Sequence, residues 1–190
     1  AAAHEVCAGR ARARDLPEDP LPLHQGGRGQ QAYAEALCSY LGCALSRCAD
    51  FWSSLATWTP RGGFVAHTFT LQALPMTWDF AEANPFSARS GSWGSAVSYV
   101  SKVIERLPPH AAQVHVTRAD SRNAPSSAER PIVCTDPPYF DNIEYAALSG
   151  YFFAWLQPTV GAIHPDLFDV AHVPSEEELV PSPFRFDTRE

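Results

Sequence analysis

Two adjacent prolines, Pro137 and Pro138, constrain this chain more than any other feature. Each fixes φ near about −65° and removes a backbone N–H, so the pair cannot sit inside a helix or a central strand. Thr135 and Asp136 before them are held near extended geometry. The pair follows a short apolar run, Pro131 to Cys134, that reads as a buried strand. It precedes Tyr145 to Leu156, which reads as a helix. Thr135-Asp136-Pro137-Pro138-Tyr139-Phe140-Asp141-Asn142 is then a stiff corner at a strand end. Carbonyl oxygens and one carboxylate are fixed there without competing backbone donors, and the Tyr139 ring stands next to them. Such a surface suits a planar ligand with an exocyclic amine: the acceptors take its N–H hydrogens and the ring takes its face.

Around that corner the chain reads as helices alternating with short strands. Residues 1–29 are rich in Ala, Arg, Pro and Gly and read as a flexible leader, or as a phosphate-contacting arm through Arg10, Arg12 and Arg14. Gln31 to Trp58 is the clearest helix. Tyr33, Leu37, Tyr40, Leu41, Ala44, Leu45, Cys48, Phe51, Trp52 and Leu55 recur at three- and four-residue steps, and Pro60-Arg61-Gly62-Gly63 closes it. Its aromatic stripe reads as core packing, with base stacking as the alternative. Phe64 to Leu71 is open between a strand and an irregular run. Pro75 starts a predicted helix over Met76 to Ala83, ended by Asn84-Pro85. Trp78, Asp79 and Glu82 on it are either solvent-facing or catalytic.

Ser92 is the predicted N-cap of a helix striped by Trp93, Ala96, Val97, Val100, Ile104 and Leu107 and stopped by Pro108-Pro109. Gln113 to Thr117 alternates and reads as a strand, with Asp120 just beyond it. After the corner, Asp141, Asn142 and Glu144 suit a helix start, and Pro158 marks the end. His164 to Arg185 is Pro-rich, with a solvated acidic run at Glu176-Glu177-Glu178. Helix, strand, loop, strand and helix predict an α/β layered sheet over residues 30–190, with a long N-terminal helix. Asp120 and Asp136 would both lie at strand carboxyl ends, where ligands collect in such sheets.

Charge and cysteine content bound the chemistry. The 190 residues carry 14 Lys and Arg against 21 Asp and Glu, a formal charge of −7. Affinity for phosphates comes mainly from Lys and Arg, so a nucleic-acid reading requires further contacts from parts of the protein beyond these residues. The chain does not begin with Met and reads as a fragment. Five cysteines form no C-x-x-C pair, and Cys38, Cys43 and Cys48 rotate around one helix instead of lining a face. They read as reduced thiols in a cytoplasmic protein. Seven histidines show no ligand spacing, so no metal site is predicted. No run is long enough for a membrane span.

Asp136-Pro137-Pro138-Tyr139 matches the signature of S-adenosylmethionine-dependent amino-methyltransferases that act on adenine or cytosine in DNA. Thr135 to Leu156 (TDPPYFDNIEYAALSGYFFAWL), Gln72 to Phe86 (QALPMTWDFAEANPF) and Glu178 to Arg185 (ELVPSPFR) narrow the likeness. With these segments the chain resembles, from about Leu16 to Arg185, large bacterial adenine-specific DNA methyltransferases that carry a zinc-ribbon insertion. Three positions depart from the pattern: Phe140 stands where a second Tyr is expected, Gly150 where an acid is, and Ser175 where Lys is. The ribbon itself lies outside this segment.

The resemblance implies part of a Rossmann-like methyltransferase fold, with S-adenosyl-L-methionine as cofactor and adenine in DNA as target. Asp136 and the Pro137 carbonyl would accept the amine hydrogens, Pro138 would fix the turn, and Tyr139 would stack on a base flipped from the duplex. Phe140 and Asn142 would line the substrate side. Asp120 would touch the adenine end of the cofactor, beside Asp136, or else be a simple turn residue. The Gly-rich turn that holds the cofactor's methionine end is not found here, and a missing N-terminal part of the same protein would supply it. Two other readings stand beside this one: an RNA or protein-glutamine methyltransferase, whose families usually place Asn at the position of Asp136, and a non-catalytic nucleic-acid-binding fragment.

Overall fold

The structure is a computed structural model and describes residues 2–70, 76–108, 116–117, 119–120, 131–138, 143–178 and 180. Helix α1 spans Ala2–Arg12, α2 Gln30–Ala49, α3 Trp93–Glu105, α4 Tyr145–Val160 and α5 Pro165–Phe168. Strands β1 (Trp58–Thr59) and β2 (Phe64–Val65) pair antiparallel, with Trp58 opposite Val65 and Thr59 opposite Phe64. Among the described residues the protein is therefore mixed helix with one small two-stranded sheet.

Small residues decide which face of α2 is buried. Ala34, Cys38, Gly42, Ala44 and Cys48 are buried, and of the expected aromatic stripe Phe51 is buried just past the helix, whereas Tyr40 and Trp52 remain exposed. Helix axes can approach closely only where side chains are short, and α1, α3 and α4 each pack on α2. One cluster joins Cys7 of α1, Ala34 and Cys38 of α2, and Val160 and Ile163 at the end of α4. A second joins Ala44 and Cys48 to Ala96 of α3, with Trp93, Val97 and Val100 against it. α2 and α4 approach closely at Gly42, where an added Cβ would lie 2.8 Å from Val160 Cγ1.

The first 29 residues, expected as a flexible leader, carry α1, in which Cys7 and Ala11 are buried. The loop after it is laced to itself and to α2. Asp19 accepts the Leu21 and Arg28 N–H groups at 3.0 and 2.9 Å, and these bonds, that to Arg28 first, hold its carboxyl below the usual carboxylate pKa. Buried Glu35 accepts the Leu23 N–H at 2.6 Å and the Gln31 side-chain amide.

α2 ends at Ala49, well before the predicted stop at Pro60. Asp50 turns the chain there through partners far along it. Its carbonyl accepts the Thr68 N–H and hydroxyl at 2.7 and 2.8 Å, and its carboxylate lies 2.6 Å from His67 Nδ1. Pro60 to Gly63 is instead the hairpin turn, with Gly63 at φ 62 donating its N–H to the Thr59 carbonyl. The helix predicted over Met76 to Ala83 is absent. The segment bonds the 53–56 loop instead: the Ala81 N–H, which a helix would use, donates to the Ala56 carbonyl, and the Thr77 hydroxyl donates to that of Leu55.

α3 follows its sequence pattern in its first two turns, where Trp93, Ala96, Val97 and Val100 pack on α2, whereas Ile104 and Leu107 of the predicted stripe are exposed. Ser92 is the N-cap, in extended geometry, and its side-chain oxygen accepts the Ser95 N–H at 3.3 Å. Removing a cap of this kind leaves a helix-start donor without its partner. Ser92→Ala is expected to destabilise the fold by about 1 kcal/mol, lowering the melting temperature by roughly 2–4 °C in a calorimetric scan.

α4 runs through Pro158 to Val160, where the sequence predicted its end at Pro158. The missing proline N–H falls in the last turn, where the Thr159 hydroxyl bonds the Trp155 and Leu156 carbonyls. The strand predicted at Pro131 to Cys134 does not form, and the run is not buried. Ile132 is 99% exposed and Val133 76%. A strand needs a ladder partner, and none of the described residues provides one. Of the predicted strand Gln113 to Thr117, residues 113–115 lie outside the described residues, and Val116 and Thr117 are exposed and irregular.

Candidate functional site

Asp136, Pro137 and Pro138 are exposed and belong to neither helix nor strand. The double proline accounts for this local geometry, since it forbids helix and leaves no donors for a sheet ladder. The Asp136 carboxylate and the Pro137 carbonyl are thus acceptors open to solvent. Tyr139, Phe140 and Asn142 lie outside the described residues, as does Asp141. Asp120 is half-buried on an irregular segment and has a partner interaction. Asp136 does not follow a strand, and of the strand expected before Asp120 only Val116 and Thr117 are described, both irregular, so the strand-end arrangement expected for the two acids is not seen among the described residues.

Trp78 and Glu82 are exposed, Trp78 at 93%. Glu82 lines a cavity of about 590 Å³ with Trp52, Phe80 and Asn84. Asp120 and Asp136 line neither this cavity nor the one described next.

The other cavity, of about 490 Å³, lies between α2, the β1–β2 hairpin and α3. It is lined by Arg47 from α2, Arg89 from the loop before α3 and Lys102 from α3 itself. The Arg47 guanidinium sits 4.3 Å from the Tyr99 ring centroid, a cation–π contact that holds the charge in place. Gly91, at φ 80, closes the bottom: its carbonyl accepts the Trp52 indole N–H at 2.7 Å, and a Cβ there would meet the Phe51 ring at 3.1 Å. None of the described acids lines the cavity. Sequence reading missed this set because its charges lie up to 55 positions apart. The one available signal was that Lys102 is the chain's sole lysine.

Among the described residues no group of His, Cys, Asp and Glu is arranged to hold a metal ion, and no helix is long and apolar enough to cross a membrane. All five cysteines are free thiols. Burial, and then the neighbouring Cys7 thiol, pushes the Cys38 pKa up to about 11, and burial raises that of Cys48. Since the thiolate is the reacting form, iodoacetamide at about pH 8 is expected to alkylate exposed Cys43 and Cys134 first. Cys7, Cys38 and Cys48 should react only on unfolding, as read by mass spectrometry of the peptides.

Compared with protein families, curated proteins and solved structures, the chain has no match.

Proposed function

We propose that this chain is the catalytic part of an S-adenosylmethionine-dependent methyltransferase acting on the exocyclic amine of adenine in DNA, within a Rossmann-like domain. One observation carries the reading: Asp-Pro-Pro-Tyr at 136–139, set in the longer segment Thr135 to Leu156 and accompanied in order by 72–86 and 178–185. The exposed Asp136 carboxylate and the donor-free backbone of Pro137 and Pro138 are compatible with it.

The described residues do not build a cofactor site by themselves. Asp120 is the only candidate ligand among them besides Asp136, and neither lines either of the two cavities described above. What this chain supplies is the grip on the amine. The lone pair of an adenine amine is delocalised into the ring, which makes it a poor nucleophile. Two acceptors, Asp136 Oδ and the Pro137 carbonyl, each taking one N–H, favour a tetrahedral nitrogen with its lone pair freed. The charged acceptor contributes about 1.5–3 kcal/mol, and more as positive charge develops on the nitrogen. Tyr139 stacking on the extruded base adds ~1–3 kcal/mol.

The test is transfer of a labelled methyl group by the full-length protein to duplex DNA, RNA and protein offered in parallel. Label recovered as N6-methyladenine in DNA is the expected result. Label only in RNA or protein, or in no substrate, would overturn the proposal.

A further inference from the structure

We infer that the cavity between α2, the hairpin and α3 binds a phosphate group carried next to an aromatic base, that is, a nucleotide, free or within a single strand. The first support is charge. In a chain of net charge −7, three cations from three separate elements line one cavity and none of the described acids does. Holding like charges together is unfavourable unless an anion offsets them. Two acids lie three positions from these cations, and both carboxylates have partners: that of Asp50 is 2.6 Å from Nδ1 of His67, itself a lining residue, and 3.3 Å from the Phe69 N–H, and that of Glu105 accepts the Ser101 hydroxyl at 3.2 Å.

The second support is shape. A volume of about 490 Å³ lies in the range of small-molecule sites and exceeds what a phosphate alone fills. The rest of the wall offers aromatic surface: Phe64 at the hairpin is 45% exposed, and Tyr99 is 54% exposed beside the stacked Arg47 guanidinium. With Arg47 over one face of Tyr99, the cations can take a phosphate while the exposed surface of Phe64 and Tyr99 takes a base. The inference does not depend on the reading of Asp136, which lines neither cavity.

The experiment uses the full 190-residue chain at about 50 mM salt. Calorimetry with ADP and fluorescence anisotropy with a labelled twelve-nucleotide oligothymidylate distinguish the two sources. The variant is the double substitution Arg89→Gln and Lys102→Gln; both side chains are exposed, and a thermal melt checks that the fold is kept. At least one ligand is expected to bind, and the variant should weaken it tenfold or more. If the oligonucleotide is the ligand, the slope of log K against log salt should become shallower by about 1.4, since each single-strand phosphate contact contributes roughly 0.7. Binding of neither ligand, or equal binding by wild type and variant, overturns the inference. Inorganic phosphate competing as strongly as ADP would overturn the part that assigns a base to the site.

Discussion

Under the proposed function, Asp136→Ala is expected to lower methyl transfer to adenine at least about 100-fold, the range found when one preorganised group that stabilises developing charge is removed. The loss has two parts. The amine no longer has a charged acceptor for one hydrogen, and the nitrogen is no longer drawn towards the geometry from which it attacks. Because Asp136 is exposed, the melting temperature should move little, within the ~0.5 kcal/mol typical of surface substitutions. Asp136→Asn keeps an oxygen acceptor without the charge, and is expected to fall between the two, near a tenfold loss by the difference between charged and neutral hydrogen bonds of roughly 1–1.5 kcal/mol. Single-turnover rates on a methylatable duplex measure this. Wild-type rates in the Ala variant would remove Asp136 from the chemistry.

Gly42→Leu should produce the largest loss of stability. Gly42 is buried on α2, and even a single Cβ would stand 2.8 Å from Val160 Cγ1. A leucine adds three more carbons at that contact, with Leu156 Cδ2 already 3.9 Å from the same point. Overpacking of this kind costs about 1–3 kcal/mol. Leucine is the better helix former by up to about 1 kcal/mol, which offsets only part of it. At roughly 2–4 °C per kcal/mol for a chain of this size, a fall of about 5 °C is expected in differential scanning calorimetry. Gly42→Ala isolates the first carbon: propensity and clash nearly cancel, and the melting temperature should stay within about 2 °C on the same scale. A Leu variant as stable as the wild type would mean that α2 and α4 are not packed as described.

Local signals in the sequence were read well where local contacts decide the outcome. Ser92 caps α3 as its identity and position predict, and Ala96, Val97 and Val100 face α2 as the stripe requires. The start of α2 and that of α4 were also legible. The errors fall where distant partners prevail. No periodicity reveals that Asp50 will bond Thr68 and so stop α2, or that the 76–83 segment will bond the 53–56 loop instead of itself. Nor does an apolar run carry any record of its strand partner, so Pro131 to Cys134 has the pattern of a buried strand and is exposed. Of the stripe expected to face the core, Ala44, Cys48 and Phe51 are buried and Leu37 and Leu41 pack on the core, but Tyr40 and Trp52 are exposed, since close approach of three helices favours small residues. At the candidate site the proline corner was legible from covalent geometry alone, because proline's ring acts without any neighbour. The cationic cavity was not, since it exists only once α2, the hairpin and α3 have met.

That three helices share one supporting helix bears on how the molecule opens. α1, α3 and α4 each rest on α2, so the amides of α2 are released to solvent only when several interfaces are lost together. The far turns of α3, exposed from Ser101 onwards, can fray without disturbing that hub. The cavity cations straddle the division, with Arg47 on the slow element and Lys102 on the fast one. A ligand that bridges them would quiet the fraying end by tying it to the part that moves least.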